Sequence, residues 1–350
     1  MTNPLQTSRT SANEKPLLRV EGLVMHFRAP GGPLFARQRE VIQAVNDVSL
    51  ELYPGETLGL VGETGCGKST VARCIVQLYK PTNGRIYFRD DELTGLSRRQ
   101  LRALRRHVQL IFQDPYASLN PRYSVRRIIR EPLDIHRVGT LEERNQRVNE
   151  LLEVVGLNPY MADRYPHEFS GGQRQRISIA RALSLNPELI ICDEPVSALD
   201  VSIQAQILNL LEDLQRERGL SYLFIAHDLA VVKHISHRIA VMYLGRIVEL
   251  SPGDDLYANP LHPYTQALTA AIPVANPARE REKRKLRSSL GGELPSPRRP
   301  PAGCHFHPRC PRAFDLCSQQ APALAEVEPG RWVACHLYAG GAVEESRLAG

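Results

Sequence analysis

Gly62-Glu63-Thr64-Gly65-Cys66-Gly67-Lys68-Ser69-Thr70 is the stretch that decides how this chain is read. It follows the apolar run Thr57-Leu58-Gly59-Leu60-Val61, which reads as a buried strand. It precedes Val71-Ala72-Arg73-Cys74-Ile75-Val76, which reads as the first turns of a helix. The spacing satisfies G-x-x-x-x-G-K-[ST] in the strand–loop–helix context that such a match requires. Glycines let the backbone turn tightly and aim its N–H groups inward as an anion nest, and the helix start adds its positive dipole end. Lys68 then reaches the β and γ phosphates of a nucleotide, and the Ser69 hydroxyl ligates Mg²⁺. A Gly-rich turn with a chance Lys-Ser pair is the bland alternative, and both flanks argue against it.

Upstream of this loop, Leu17 to Phe27 alternates as a strand. Phe27 can stack on a purine or serve as an ordinary core ring, and spacing does not choose between them. Residues 29–39 form a Gly- and Pro-rich loop, and Val41 to Leu52 alternates again before the Tyr53-Pro54-Gly55 turn. Downstream, a turn at Pro81-Thr82-Asn83-Gly84 leads to a short strand around Ile86 to Phe88. Arg98 to Arg106 is a basic helical run, read as a solvated face rather than a nucleic-acid site. Val108 to Phe112 is an apolar strand ending at Gln113, and Ser124 to Val155 carries a helical pattern.

Phe169-Ser170-Gly171-Gly172-Gln173 opens a helix with Ser170 as its N-cap. Two glycines at a helix start offer a second phosphate cradle, or simply a capped helix. Leu189-Ile190-Ile191-Cys192 is a wholly apolar strand that delivers Asp193 and Glu194 at its carboxyl end, where ligands of open α/β sheets gather. Adjacent buried carboxylates need partners, so one on the metal and one activating water is the chemical reading. Ser197-Ala198-Leu199-Asp200 leads into an amphipathic helix with Ile203, Ile207, Leu210, Leu211 and Leu214 inward, stopped by Gly219. Tyr222 to Ala226 is a further buried strand, delivering His227. Ile239 to Tyr243, a turn at Gly245 and Ile247-Val248 close the domain.

The chain has 350 residues, enough for about two domains. Its net charge of +6 suits anionic partners such as nucleotides, nucleic acid or an acidic lipid surface, but a mildly basic solvated surface explains the same figure and is the preferred reading. No apolar run approaches the ~20 residues of a membrane-spanning helix. The polar start, Met1 to Lys15, reads as disordered and lacks a signal-peptide core, which predicts a cytoplasmic protein. Cys66, Cys74 and Cys192 read as small packing residues in a reducing compartment.

In this order the motifs resemble those of an ABC-transporter ATPase subunit, specifically the ATP-binding subunits of dipeptide/oligopeptide importers. The narrower likeness rests on Phe112-Gln113-Asp114-Pro115-Tyr116-Ala117-Ser118-Leu119-Asn120-Pro121-Arg122, on Asn259-Pro260-Leu261-His262-Pro263-Tyr264-Thr265-Gln266-Ala267-Leu268, and on the cysteine-bearing tail. The Ser-Leu-Asn-Pro-Arg version is similar to the second ATPase of a non-identical pair, and the likeness spans about Leu17 to Tyr338. It implies an α/β P-loop ATPase with a three-layer core over residues 16–255, a helical subdomain at about 118–183, and a C-terminal extension at 256–340. Phe169 stands where many ABC proteins have Leu, and the peptide-importer group shares this version.

By position, the resemblance implies that Phe27 stacks on adenine, Lys68 binds phosphate, and Ser69 and Asp193 hold Mg²⁺. Gln113 contacts the metal or lytic water, Glu194 polarises that water, and His227 contacts the γ-phosphate. Ser170, Gly171, Gly172 and Gln173 act on ATP bound by the partner in a head-to-tail dimer, and Asp200 is counted with the nucleotide-binding residues. The implied partners are a sister ATPase, two transmembrane permeases and, indirectly, an extracytoplasmic peptide-binding protein, at the cytoplasmic face of the inner membrane. Nickel or another small solute is the alternative cargo. A soluble ABC ATPase acting on nucleic acid or the ribosome is expected to carry a second cassette or a long coiled coil, and neither is present.

Cys304, Cys310, Cys317 and Cys335 follow a charged, Pro-rich linker at residues 279–301. Their spacing, C-x₅-C-x₆-C-x₁₇-C, is unlike the short pairs of common zinc sites, and disulfides are not expected in a cytoplasmic protein. Four thiolates suit zinc or an iron–sulfur cluster, with His305, His307 and His336 as substitute ligands. Four reduced thiols packing a small subdomain is the alternative. The family resemblance favours a four-iron, four-sulfur cluster, whose binding would supply folding energy to a module with little core of its own.

Overall fold

The computed structural model describes residues 15–28, 41–272 and 294–338. Nearly all of the polar start, the loop at 29–39 and the first part of the linker at 279–301 lie outside the described residues. The two alternating runs form β1 (Leu18–Arg28) and β2 (Val41–Leu52), paired antiparallel with Leu18 opposite Leu52 and Arg28 opposite Val41. With β4 (Asn83–Phe88) and β5 (Asp91–Glu92) they make a four-stranded antiparallel sheet, ordered β2-β1-β4-β5.

The uninterrupted apolar runs go elsewhere. β3 (Thr57–Val61), β6 (Val108–Ile111), β7 (Leu189–Asp193), β8 (Ser221–Ala226) and β9 (Arg238–Tyr243) lie parallel in the order β6-β7-β8-β3-β9. Strands covered on both faces have no solvent side, which is why they show no polar alternation. Alternate residues still divide between two cores. Leu58, Leu60, Ile191, Leu223 and Ile225 pack with the antiparallel sheet and with α1 (Lys68–Ile75). Ile190, Cys192, Tyr222 and Phe224 pack with the helices of the opposite layer. This is the three-layer α/β arrangement expected.

In that second layer the helical pattern from Ser124 to Val155 resolves into α4 (Val125–His136) and α5 (Leu141–Val154). Gly139 turns left-handed between them, and Thr140 opens α5 with a capping box to Glu143. Both pack on α6 (Gly171–Leu183). The basic run forms α2 (Arg98–Leu104), which buries no residue, as a solvated face should.

The C-terminal extension shares this framework. β10 (Arg246–Pro252) pairs antiparallel with β9, and β12 (Arg331–Val333) then adds to β10 with β11 (Ala325–Glu328) outside it. Tyr264 and Phe306 lie in the same core as Phe224 and Tyr243. The extension therefore draws packing energy from the main sheet, a source of stability that does not depend on a metal.

Glu249, buried on β10, accepts the backbone N–H groups of Leu261 at 2.9 Å and His262 at 2.8 Å. His262 caps α10 (Pro263–Ala271), its Nδ1 accepting from the Tyr264 N–H at 3.0 Å. Complete burial pushes the His262 imidazole down from 6.5 to about 3. The unfolded chain thus takes up a proton below pH 6.5 that the folded chain refuses, and stability falls as pH drops from there towards 3. The slope contributed approaches about 1.4 kcal/mol per pH unit. His262→Asn keeps an acceptor at the cap and should flatten this part of the acid dependence in urea unfolding at pH 7 and 5. An unchanged slope would show that His262 does not carry it.

Candidate nucleotide site

All five parallel strands end on one edge, and the loop Gly62–Thr70 leaves that edge from β3, between β8 and β9. Two of its glycines are there for space. A Cβ on Gly62 would lie 2.1 Å from the Met242 carbonyl oxygen. At Gly67, where φ is 111°, a Cβ would lie 2.2 Å from the Ala44 carbonyl oxygen. Gly67 is also the N-cap of α1, so no side chain covers the helix start, and the first turn carries no acidic residue. Helix dipole and backbone N–H groups are left for an anion. The Lys68 ammonium donates to the carbonyl oxygens of Gly62 at 2.7 Å and Glu63 at 3.1 Å.

The polar strand ends converge as the sequence suggests. Ser69 Oγ donates to Asp193 Oδ1 at 2.7 Å, joining loop to β7. Burial raises the Asp193 carboxyl above its ordinary value, opposed by the Ser69 hydroxyl and by Arg73 and Lys68. Next along, Glu194 has a left-handed backbone, φ 50°, with its N–H bonded to the Ile225 carbonyl at 2.9 Å. Such a conformation is strained for a residue with a Cβ and tends to persist where it aims a functional side chain. Glu194 Oε2 accepts from Gln113 Nε2 at 2.9 Å and lies 3.1 Å from His227 Nδ1. Three strands, β6, β7 and β8, thereby meet on one carboxylate oxygen.

Other expected residues stand apart from that cluster. Ser170 and Gln173 close a capping box on each other at the exposed start of α6, Ser170 Oγ accepting the Gln173 N–H at 3.3 Å and Gln173 Oε1 the Ser170 N–H at 3.0 Å. Asp200 is the exposed N-cap of α7 (Val201–Arg218), and Leu199 and Ile203 beside it pack on Gly171 and Gly172. Phe27 meets Tyr79 edge-to-face at 5.3 Å and is only half-buried.

Near the loop, two contacts escape sequence reasoning. The Glu63 N–H donates to Tyr264 Oη, and the Glu63 carboxylate pairs with Arg309, from positions 201 and 246 residues away. No local pattern announces them.

The cysteine tail is drawn together without forming a compact ligand set. The Cys304 N–H donates to the Cys317 carbonyl at 2.8 Å. Burial, with Cys304 and Cys317 nearby, pushes the Cys310 thiol up to about 11. Burial first, then the other three cysteines, pushes Cys335 up to about 12. Among the described residues no group of three or more His, Cys, Asp or Glu side chains is arranged to hold a metal ion.

Residues 45–197 match the family model described as ABC transporter. Residues 248–317 match the model of the oligopeptide/dipeptide transporter C-terminal region. The chain is 56% identical over 330 residues to the oligopeptide transport ATP-binding protein AppF of Bacillus subtilis, covering 94% of this chain and 99% of that protein. The chain belongs to the ABC transporter ATP-binding family. It is also 55% identical to the oligopeptide transport ATP-binding protein OppF of Escherichia coli, over 89% of this chain and 93% of that one. Among solved structures, a dimeric ATP-binding cassette in a post-hydrolysis state with ADP and Pi matches with a TM-score of 0.60. That match has 29% identity and covers 67% of this chain and 98% of the cassette. As an ABC ATPase the chain binds ATP with Mg²⁺ and hydrolyses it. The Ser69 and Asp193 oxygens, 2.7 Å apart, are a hard donor pair that fits Mg²⁺.

Gly67→Ala should cost roughly 1–3 kcal/mol from backbone strain alone, before the clash with Ala44 is counted. Thermal unfolding of the purified chain checks this, and an unchanged Tm would refute the steric account of the loop.

Proposed function

We propose that this ATPase powers oligopeptide import through an ABC transporter, and that Glu194 polarises the attacking water. The observation that carries the catalytic assignment is the convergence of Gln113 and His227 on one oxygen of Glu194, beside the Ser69–Asp193 pair. The oligopeptide cargo follows from the C-terminal region and from relatives bearing that name.

In this reading the loop N–H groups and the Lys68 ammonium bind the phosphates, and Phe27 stacks on adenine. Ser69 and Asp193 hold Mg²⁺, which neutralises charge on the β and γ phosphates when bound. Glu194, held by Gln113 and His227, takes the proton of the lytic water. His227 faces the γ-phosphate, and Gln113 links Glu194 to the end of β6. The exposed Ser170–Gln173 turn and Asp200 serve the nucleotide of a sister ATPase docked head-to-tail. Two permeases carry the solute, an extracytoplasmic binding protein delivers it, and this chain attaches peripherally at the cytoplasmic face of the inner membrane. No helix of the described residues is long and apolar enough to cross a membrane.

Glu194→Gln keeps the shape and removes the base. ATP binding should persist in the assembled transporter while turnover falls by about 10²-fold or more. Wild-type turnover in that variant would sink the assignment.

The iron–sulfur cluster is a separate part of the proposal, supported by the mutual proximity of the four cysteines. Against it, burial raises the Cys304, Cys310 and Cys335 thiols above their ordinary range, and among the described residues no set is shaped for a single ion. Anaerobic purification followed by iron, sulfide and zinc analysis decides between the readings. Iron and sulfide in equal amounts support the cluster, stoichiometric zinc replaces it, and folded active protein with neither metal leaves four packed thiols.

A further inference from the structure

Lys68 rests on the carbonyls of Gly62 and Glu63, and this first turn of the loop is itself held from the far end of the chain. Arg309 donates to both carboxylate oxygens of Glu63, at 3.0 and 3.2 Å, and reaches Tyr243 Oη at 3.4 Å. Tyr264 Oη accepts the Glu63 N–H at 2.9 Å. These are not surface contacts. The Arg309 side chain is 9% exposed, that of Glu63 27%, and Tyr264 is fully buried.

The rings fix the two groups in place. Tyr243 meets Tyr264 at 4.7 Å and Phe306 at 5.2 Å, and Phe306 lies three residues before Arg309. A second link runs to the other side of the loop. His305 Nδ1 lies 3.0 Å from the Leu244 carbonyl, and the neighbouring Gly245 N–H donates to the Cys66 carbonyl at 2.9 Å. The extension thus touches the phosphate loop directly at Glu63 and backs the turn that holds Cys66.

We propose that Arg309 is a positioning residue for ATP: through Glu63 it sets the carbonyls that carry Lys68, and so shapes the phosphate loop before nucleotide arrives. The proposal rests on the reading above that this loop binds ATP. A partly buried Arg–carboxylate pair in two-point contact is directional as well as strong, which a tether for the extension would not require. Without Arg309 the loop samples conformations that ATP must then select against. That loss falls equally on bound substrate and transition state, so KM rises while kcat at saturating ATP holds.

The test uses the assembled transporter, with ATP binding measured in the Glu194→Gln background and KM and kcat in the wild-type background. Arg309→Gln should weaken ATP binding about tenfold, in the range expected for a lost charge-assisted hydrogen bond. Arg309→Lys should recover part of the loss. Glu63→Gln should weaken binding similarly, and the double variant should be no weaker than either single one, because both remove the same contact. Should Arg309→Gln fail to fold, Glu63→Gln, at the more exposed partner, reads the contact from the other side. Unchanged ATP affinity, or single effects that multiply in the double variant, would overturn the proposal. A lower Tm with unaltered KM would reduce Arg309 to a structural staple. Lys68→Ala serves as the control for the loop. If it binds ATP normally, the site assignment itself has failed, whereas loss in Lys68→Ala beside normal Arg309→Gln defeats only the inference made here.

Discussion

Lys68 places an ammonium ion inside the protein, 4% exposed, with its strongest hydrogen bonds to two carbonyl oxygens of its own loop. Removing a charge from water is costly, and carbonyl dipoles offset only part of that cost. The remainder is a standing attraction for an anion at the start of α1. The rest of the architecture keeps this arrangement in place. The parallel order β6-β7-β8-β3-β9 puts the acidic end of β7 beside the loop, close enough for Ser69 to bond Asp193. Glycines at 62 and 67 let strand and helix approach backbones that any side chain would strike.

Much of this was legible because the central strands are buried on both faces. A run such as Leu189-Ile190-Ile191-Cys192 leaves few alternatives, and the polar residue after each run had to sit at the same edge of the sheet. That is why Gln113, Asp193, Glu194 and His227 could be grouped from their positions alone. The start of α1 was harder. It begins at Lys68, three residues before the first apolar helical residue, because Lys68, Ser69 and Thr70 are helical in backbone but polar in side chain. The break between α4 and α5 leaves no mark in the pattern, because similar apolar spacing continues on both sides of Gly139.

What could not be read lies in the long-range contacts. β12 has three residues, too few to show any period, yet it attaches the extension to the main sheet. The four cysteines suggested a module in need of a metal to fold. The structure instead buries Phe306 and Tyr264 in the common core, which gives the extension packing that needs no metal. Nothing in the residues around Glu63 or Arg309 reveals that they meet. Contacts of this kind depend on where two distant backbones cross, a property of the assembled fold rather than of either segment.

The bond between Glu63 and Arg309 also has a history in time. Its partners are separated by 246 residues, and a ribosome adds roughly 5–20 residues each second. For roughly 12–50 s of synthesis the phosphate loop therefore exists without the segment that grips it. The phosphate loop is among the first parts of the chain to be made and among the last to be secured. A polypeptide cut short before the extension carries every residue that touches phosphate in our reading, yet lacks the contacts that hold the loop's first turn.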